Sequence, residues 1–292
     1  MAAMRWTRAM NCSRMSAARW KKLMIGVFDS GFGGLTILQK LRHTLPQYDY
    51  LYLGDNARAP YGSRSFETIY RYTLEAVREL FHRGCPLVIL ACNTASAKAL
   101  RSIQQQVLPV EFPDRRVLGI VRPTAEEIGN FSKTGHIGIF ATAGTVSSNS
   151  YVLEISHFFP DLHVTQHACP MWVPLVEYGE RGTEGSRFFV KKDVEQLLAA
   201  DPEIDTVLLA CTHYPLLEDE IRAALPPHVR LVVQGDIVAD KTLDYLRRHA
   251  DMEMRLTKNG KVKYLTTDTA EFFKKGAFRF GMDDISAESL TF

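Results

Sequence analysis

Short apolar runs alternate with longer amphipathic stretches along most of this chain. Residues 87–91 and 206–210 are almost continuous in Val, Ile, Leu and Ala, which is typical of strands that are buried on both faces of a parallel sheet. Between such runs, as in residues 65–83, apolar residues recur at the spacing of an amphipathic helix. This alternation predicts an α/β fold in which helices cover both faces of mostly parallel sheets.

Residues that stop helices, cap helices or form loops lie between these stretches and set the predicted element boundaries. Pro46 stops the first helix, and Ser65 with Thr68 is a typical capped start of the second. Residues 54–62, which include Pro60 and Gly62, have loop chemistry throughout. The predicted strands are residues 25–28, 48–53, 87–91, 117–121, 136–140, 164–167, 206–210, 231–233 and 262–267. The predicted helices are residues 35–45, 65–83, 95–107, a segment from residue 123, 149–157, 187–199, 239–249 and 270–278.

Two pairs of short motifs recur at nearly the same spacing, which indicates an internal duplication. Residues 87–94 read LVILACNT and residues 206–213 read TVLLACTH, so Cys92 and Cys211 each follow an apolar run. Residues 25–31 read IGVFDSG and residues 137–143 read IGIFATA. The sequence therefore predicts two pseudo-symmetric, doubly wound lobes, each of which contributes one cysteine to an active site in the cleft between them.

Reactive and polar side chains follow several of the predicted strands. In parallel α/β sheets, ligands bind beyond the carboxyl ends of the strands. The residues at this predicted edge are Asp29, Ser30, Cys92, Thr142 and Cys211. We therefore expect the functional site to lie at this edge.

Three kinds of cysteine chemistry fit such an edge. Acyl transfer needs a single cysteine with an oriented histidine, whereas the duplication supplies two cysteines. Zinc binding would draw on Cys92, Cys211 and His213, but the chain has no Cys-x-x-Cys motif. Acid/base catalysis on both faces of one carbon needs two opposed proton-transfer groups, one charged and one neutral. The duplication favours this third chemistry, and no metal is expected.

The neighbouring residues supply the other groups that such chemistry needs. A helix beginning after each cysteine is expected to lower the thiol pKa from ~8.5. Asp29 and His213 are candidates to exchange a proton with the thiols, one beside each. A single Thr or Asn after a strand is also a common helix cap. Further candidate donors to a ligand are Ser30, Asn93, Thr94, Thr142, Thr145 and Thr212, and Tyr61 with Gly62 could close a loop over it.

Composition limits the partners of this chain. Its 292 residues are 46% hydrophobic and 23% charged, which is enough for about two globular domains. Residues 1–22 contain six of the 35 basic residues and no acid, so the rest of the chain is slightly acidic. Neither a nucleic-acid partner nor a membrane span is expected. Residues 1–23 are interpreted as a disordered basic tail or an over-long start, and five cysteines without regular spacing favour a cytoplasmic location.

Four segments give the chain a resemblance to a known family. They are residues 27–36 (VFDSGFGGLT), 54–62 (GDNARAPYG), 91–96 (ACNTAS) and 210–217 (ACTHYPLL), and they resemble the glutamate racemases of the aspartate/glutamate racemase family. The resemblance implies a cofactor-independent isomerase that interconverts L- and D-glutamate and supplies D-glutamate for peptidoglycan. It also implies a first lobe of residues 24–117 and 233–292 and a second lobe of residues 118–232, and a homodimer is expected.

The resemblance also implies roles for individual residues. Cys92 and Cys211 are implied as the catalytic acid/base pair, with Cys211 the base toward L-glutamate and Cys92 the base toward D-glutamate. Implied substrate contacts are Asp29, Ser30, Tyr61, Gly62, Asn93, Thr94, Thr212 and His213, and Thr142, Thr145 and Glu177 are implied to line or support the site.

The choice of glutamate depends on the residues after the second cysteine. Related aspartate racemases tend to carry Glu-Ile after the second Cys-Thr, where this chain has His213 and Tyr214. An aspartate or hydantoin racemase and a non-catalytic, two-lobed amino-acid sensor remain open alternatives. A panel of substrates distinguishes the first two, and turnover distinguishes an enzyme from a sensor.

Overall fold

Two parallel sheets form the framework of the computed structural model, which describes residues 23–283 and 285–292. The strands are β1 (Ile25–Asp29), β2 (Tyr50–Gly54), β3 (Leu87–Leu90), β4 (Arg116–Gly119), β5 (His136–Ala141), β6 (His163–Ala168), β7 (Thr206–Ala210), β8 (Arg230–Val233), β9 (Val262–Thr266) and β10 (Ala287–Ser289). One sheet has six strands in the order β10-β9-β2-β1-β3-β4, and the other has four in the order β6-β5-β7-β8.

Helices connect these strands and cover both faces of each sheet. They are α1 (Gly34–Thr44), α2 (Phe66–His82), α3 (Asn93–Ser102), α4 (Leu108–Glu111), α5 (Val121–Ile128), α6 (Ala143–Ser148), α7 (Ser150–Phe158), α8 (Trp172–Glu177), α9 (Glu184–Ala200), α10 (Glu218–Ala224), α11 (Gln234–Arg248), α12 (Ala250–Glu253) and α13 (Ala270–Phe278). A π-helical turn, Ile103–Val107, joins α3 to α4. Every pair of neighbouring strands in the described chain is parallel. The predicted α/β fold is therefore confirmed.

Alternate residues of the central strands point into different cores, because side chains alternate between the two faces of a strand. In β3, Leu87 and Ile89 belong to a core shared with α1, whereas Val88 and Leu90 pack in a second core under α2 and α3. The central strand β7 shows the same alternation. Each fully buried Leu or Ile contributes about 1.5–3 kcal/mol to the free energy of unfolding. This two-sided burial explains why the strands read as continuous apolar runs.

The core shared with α1 extends from one sheet to the other. It includes Ile25 and Val27 of β1, Phe140 of β5 and Val207 of β7. Helices α1 and α11 pack against each other between the two sheets. The carboxyl ends of strands from both sheets therefore meet in one region.

One predicted strand has a different place from the one expected. Residues 117–121 were predicted to open the second lobe, but β4 begins at Arg116 and pairs with β3 as the last strand of the six-stranded sheet. The carbonyl of Pro86 fixes this register by accepting a hydrogen bond of 3.0 Å from the backbone N–H of Arg116. The predicted boundary at residues 117 and 118 falls inside this strand. The division of the chain into two lobes otherwise remains a prediction.

The remaining differences concern short elements and the amino terminus. Helices α4, α6, α8, α10 and α12 and strand β10 were not predicted, since each is too short to show a periodic pattern. The predicted tail lies outside the described residues, except for Leu23, which forms a bridge with Leu256. No helix in the described part of the chain is long and apolar enough to cross a membrane.

Candidate active site

The two motif cysteines occupy equivalent positions on the two sheets. Cys92 follows β3 and caps α3, and Cys211 directly follows β7. Each residue is only 6% exposed. A negative charge on Cys211 raises the pKa of Cys92, so the two thiols lie within electrostatic reach of each other. The parallel topology thus brings together two cysteines that are far apart in the sequence.

Cys92 is held by its own helix and by Ser30. Its Sγ accepts a hydrogen bond of 3.5 Å from the backbone N–H of Ala95 and donates one of 3.5 Å to Oγ of Ser30. Burial and the nearby charge of Asp29 raise the pKa of the Cys92 thiol to about 12, despite the helix N–H group. The expectation that the helix terminus lowers this pKa is therefore wrong for Cys92, because desolvation of the thiolate outweighs one N–H contact. Cys92 therefore carries its proton at neutral pH.

Cys211 stands next to a histidine that is itself oriented by a carboxylate. Its Sγ lies 4.0 Å from Nδ1 of His213, and Nε2 of His213 lies 3.0 Å from Oε1 of Glu177. Burial opposes protonation of His213, but its contacts with Cys211 and Glu177 outweigh burial and raise its pKa to about 10. The ring of Phe280 contacts His213 edge-on at 5.4 Å. His213 is therefore a fixed imidazolium beside Cys211 at neutral pH.

We expect Glu177→Gln to lower the free energy of unfolding by an amount that depends on pH. A histidine whose pKa is raised on folding contributes stability that is complete below its unfolded pKa of ~6.5 and is lost as the pH rises through its folded pKa, here about 10. The variant should lose about 1–3 kcal/mol of unfolding free energy near pH 6.5, and this difference should shrink toward pH 10. Urea denaturation at several pH values measures it.

A second charge-neutralising variant controls for the change in net charge. Glu180→Gln alters an exposed carboxylate shortly after α8. Its effect on the free energy of unfolding should be small and should not vary with pH between 6.5 and 10. A difference for Glu177→Gln that stays constant over this range would contradict the charged state assigned to His213.

Asp29 ends β1, is fully buried and lies within electrostatic reach of Cys92. Its Oδ2 accepts a hydrogen bond of 2.9 Å from the backbone N–H of Gly31. Its Oδ1 is buried and makes no hydrogen bond of good geometry within the described residues. Burial raises the pKa of Asp29 above its ordinary value, although the charge of His213 opposes this rise. A buried carboxylate oxygen of this kind is suited to an incoming cationic group or to a proton.

The side chain of Asn93 is held in a buried polar network. Its amide Nδ2 donates to Oε1 of Gln234 at 2.8 Å, and its Oδ1 accepts a hydrogen bond of 2.6 Å from the Tyr151 hydroxyl. Gln234 also donates to Oγ1 of Thr124 at 3.1 Å. Because these bonds join α3 to α5, α7 and α11, the network fixes the start of α3 beside Cys92. Asn93 therefore faces this network with its side-chain amide, and the first turn of α3 offers backbone N–H groups.

Three threonines join the helices that follow β3 and β5. Oγ1 of Thr94 lies 2.9 Å from Oγ1 of Thr142 and 3.4 Å from Oγ1 of Thr145. Thr142 caps α6 by accepting a hydrogen bond of 3.3 Å from the backbone N–H of Thr145. All three are buried. They form a cluster of hydroxyl groups at the edge shared by the two sheets.

The loop before α2 reaches across to this cluster. The Tyr61 hydroxyl donates to the carboxylate of Asp55, which Arg58 also contacts at 2.8 Å. The carbonyl of Gly62 accepts a hydrogen bond of 2.7 Å from the backbone N–H of Gly144. A Cβ on Gly62 would lie 2.9 Å from Cβ of Thr142. The loop therefore covers the hydroxyl cluster at close range.

The glycine turn after β1 packs directly on the residues that follow Cys211. A Cβ on Gly33 would lie 2.2 Å from Oγ1 of Thr212 and 2.5 Å from Nδ1 of His213. Thr36 reinforces this contact by donating to the carbonyl of Thr212 at 3.1 Å. The backbone of Gly33 is in the ordinary helical region. Space, and not backbone conformation, therefore requires glycine here.

We expect Gly33→Ala to displace Thr212 and His213 and to damage catalysis. Overpacking of this kind costs about 1–3 kcal/mol of unfolding free energy. Gly185→Ala is the matched control, because a Cβ there meets Oγ1 of Thr183 at an ordinary 3.6 Å in the first turn of α9. Thermal unfolding and turnover should both fall for Gly33→Ala and neither for Gly185→Ala. Equal behaviour of the two variants would contradict this packing.

A cavity of about 590 Å³ opens beside Cys211 and Thr212. Helix α1, the junction of β8 and α11, and residues 278–283 bound it, and its lining includes neither Cys92 nor Ser30. It therefore approaches Cys211 from the side of α1 and not from between the two thiols. Both cysteines are nearly buried, so little of either thiol faces solvent.

The structure thus gathers the predicted residues at the carboxyl edges of β1, β3, β5 and β7. Two members of the surrounding network, Gln234 and Tyr151, had no predicted role. Gln234 directly follows β8, so the same reasoning about strand ends could have identified it. Tyr151 lies within α7, and nothing in its local sequence indicates its contact with Asn93.

The sequence of this chain is similar to those of known proteins. The sequence model of the Asp/Glu/Hydantoin racemase family matches residues 25–242. The chain is 39% identical over 277 residues to the glutamate racemase of Ruegeria sp. (strain TM1040), which covers 91% of this chain and 100% of that relative.

Solved structures of similar proteins have the same fold. The chain is similar to glutamate racemase isoform RacE1 of Bacillus anthracis, with a TM-score of 0.80, 32% identity and coverage of 92% of this chain and 98% of that one. It is also similar to the glutamate racemase of Francisella tularensis subsp. tularensis in complex with D-glutamate. That comparison has a TM-score of 0.81, 28% identity and coverage of 93% of this chain and 98% of that one.

Proposed function

This chain belongs to the Asp/Glu/Hydantoin racemase family and is an isomerase, and we propose that it interconverts L- and D-glutamate without a cofactor. The observation that carries the proposal is the pair of strand-end cysteines, Cys92 and Cys211, each with a titratable neighbour. Racemization requires removal of a proton from one face of Cα and delivery of a proton to the other. Two thiols that reach one site from two sheets are suited to this task.

Substrate binding would use the polar groups between the sheets. Oδ1 of Asp29 would accept a hydrogen bond from the ammonium group of the amino acid. The positive charge of that group would compensate the buried negative charge of Asp29. The hydroxyl cluster of Thr94, Thr142 and Thr145, with the helix ends around it, would hold a carboxylate, because helix N-termini and hydroxyl donors favour anions. Binding would exclude water and strengthen these interactions.

Proton transfer would follow from the different surroundings of the two thiols. The imidazolium of His213 beside Cys211 attracts negative charge to that sulfur, whereas Cys92 carries its proton. With Cys211 as the base toward L-glutamate, Cys211 would remove the Cα proton and Cys92 would deliver its own to the opposite face. After turnover, Cys211 would lose the proton that it gained and Cys92 would regain one, through His213, Asp29 or solvent.

A substrate panel tests the choice of glutamate. We expect L-glutamate to be racemized with a kcat/KM at least about 10-fold above that of L-aspartate, since one methylene is worth roughly 10–200-fold in discrimination. Circular dichroism follows the loss of optical activity for both amino acids and for a 5-substituted hydantoin. Faster turnover of aspartate or of the hydantoin would reject glutamate as the substrate.

Three further expectations belong to this proposal. D-glutamate made by this enzyme would supply peptidoglycan synthesis, which is tested by rescue of a bacterial strain that requires D-glutamate for growth. A homodimer would be detected by sedimentation, and a cytoplasmic location by cell fractionation. A monomer, a membrane-fraction signal or a failure to rescue growth would each reject the corresponding expectation.

A further inference from the structure

Three donor side chains converge at the edge strand of the four-stranded sheet. They are His167, Cys169 and Asp193. Their donor atoms all lie within 4.8 Å of one another, and Nε2 of His167 lies 3.2 Å from Oδ1 of Asp193. None of the three has a role in the mechanism above.

The sequence brings these donors together through strand and helix geometry. His167 belongs to the last residues of β6 and Cys169 directly follows that strand, so only one residue separates them and their side chains share one side. Asp193 projects from the middle of α9, which packs against β6. The convergence therefore does not depend on any flexible loop.

Two hydrogen bonds hold the backbone of Cys169, and a ring contact holds the side chain of His167. The backbone N–H of Cys169 donates to the carbonyl of Ala141 at 2.9 Å, and the Tyr214 hydroxyl donates to the carbonyl of Cys169 at 3.1 Å. The ring of Phe140 meets the His167 ring edge-on at 6.2 Å. Preorganised donors of this kind lower the cost of binding an ion.

We propose that His167, Cys169 and Asp193 bind one zinc-like divalent transition metal ion, with water as the fourth ligand. Imidazole, thiolate and carboxylate are all zinc ligands, and bonds of ~2.0–2.1 Å in a tetrahedron place two such atoms about 3.3–3.4 Å apart. The 3.2 Å between His167 and Asp193 is close to that value. One dication would also balance the charges of one thiolate and one carboxylate, so that no uncompensated charge is buried.

The exposure of the three residues indicates the side from which an ion would enter the site. Strand β6 is an edge strand, and the His167 side chain is 21% exposed, whereas Cys169 and Asp193 are buried. An ion would enter from the imidazole side, and water would reach it there. The bound ion would tie α9 to the start of the segment that leads into α8 and Glu177. Occupation of the site would therefore stabilise this part of the protein.

Cobalt(II) titration of the full-length, metal-free protein tests this site. Thiolate ligation gives an absorption band from sulfur-to-cobalt charge transfer, so we expect a band that saturates at one equivalent. The active-site thiols are excluded by using the Cys92→Ser/Cys211→Ser protein, in which the band should persist. Cys169→Ser should abolish it, and Cys85→Ser, a buried thiol far from the cluster, should not.

A second variant separates the loss of a metal ligand from misfolding caused by the buried Cys169→Ser substitution. His167→Gln alters the partly exposed ligand and should weaken zinc binding by at least about 10–100-fold, the loss caused even by outer-shell changes. Zinc should raise the thermal midpoint of the parent protein and not of His167→Gln. A band that survives in Cys169→Ser, disappears with the active-site cysteines, or never saturates at one equivalent would overturn the proposal.

Discussion

Replacement of either Cys92 or Cys211 by serine is expected to lower kcat/KM for glutamate by about 10²–10⁴-fold, the usual contribution of a positioned acid or base. A serine hydroxyl has nearly the shape of a thiol but is a far weaker acid, so it cannot exchange a proton with Cα as a thiol does. Both residues are almost fully buried, and the substitution removes little volume. The loss should therefore appear in turnover with little change in the thermal midpoint.

The two variants should differ in a way that identifies the face served by each thiol. The enantiomers of glutamate have equal free energies, so kcat/KM must fall by the same factor in both directions. Exchange of the Cα hydrogen with D2O is not restricted in this way. We expect Cys92→Ser to exchange L-glutamate without inversion, through Cys211, and Cys211→Ser to exchange D-glutamate.

Cys85→Ser is the control for these substitutions. Cys85 is also buried, but it precedes β3 at the opposite end of the strand from Cys92. The substitution should lower stability and leave kcat/KM unchanged. Near-normal turnover in Cys92→Ser or Cys211→Ser would reject the two-thiol mechanism, and equal exchange of both enantiomers in each variant would reject the assignment of faces.

Asp29→Asn is expected to lower kcat/KM by roughly 10²–10⁴-fold. The substitution keeps the shape of a side chain that is completely buried but removes the negative charge proposed to meet the substrate ammonium. Removal of one partner of a buried charge pair costs about 3–5 kcal/mol, and each 1.36 kcal/mol is tenfold in rate. Steady-state kinetics with both enantiomers, and binding of glutamate measured by calorimetry, give the size of the loss.

Asp49→Asn separates the loss of this charge from a general loss of stability. Asp49 is also buried, and it accepts hydrogen bonds of 2.8 Å from the backbone N–H of Lys261 and 2.7 Å from Nδ2 of Asn259, far from the thiols. Its substitution should lower the free energy of unfolding with little effect on kcat/KM. If Asp29→Asn instead keeps its affinity for glutamate and its turnover, Asp29 does not face the substrate.

The residues at the strand ends could be predicted because parallel topology fixes their position. A buried apolar run followed by Cys92 or Cys211 places a side chain at the carboxyl edge of a sheet, wherever that strand lies in the sheet. The run itself does not specify its neighbours. For this reason the strand near Val117 could be identified, although its place in the six-stranded sheet could not.

The electrostatics of the site could not be predicted from the motifs. A helix N-terminus beside Cys92 suggests a lowered pKa, but burial of the sulfur by other elements raises the pKa instead. The orientation of the Asn93 side chain could not be predicted either, because its amide donates a hydrogen bond to Gln234, which lies 141 residues away in the sequence. Such features depend on tertiary contacts that no local pattern encodes.

Incubation of the purified protein with L-glutamate in D2O, without added cofactor, tests the central claim most directly. Proton NMR follows the Cα hydrogen and circular dichroism follows optical activity. The mechanism predicts that both signals disappear, and that D-glutamate gives the same end point. Persistence of both signals, in folded protein that binds glutamate, would contradict racemization and favour an amino-acid sensor.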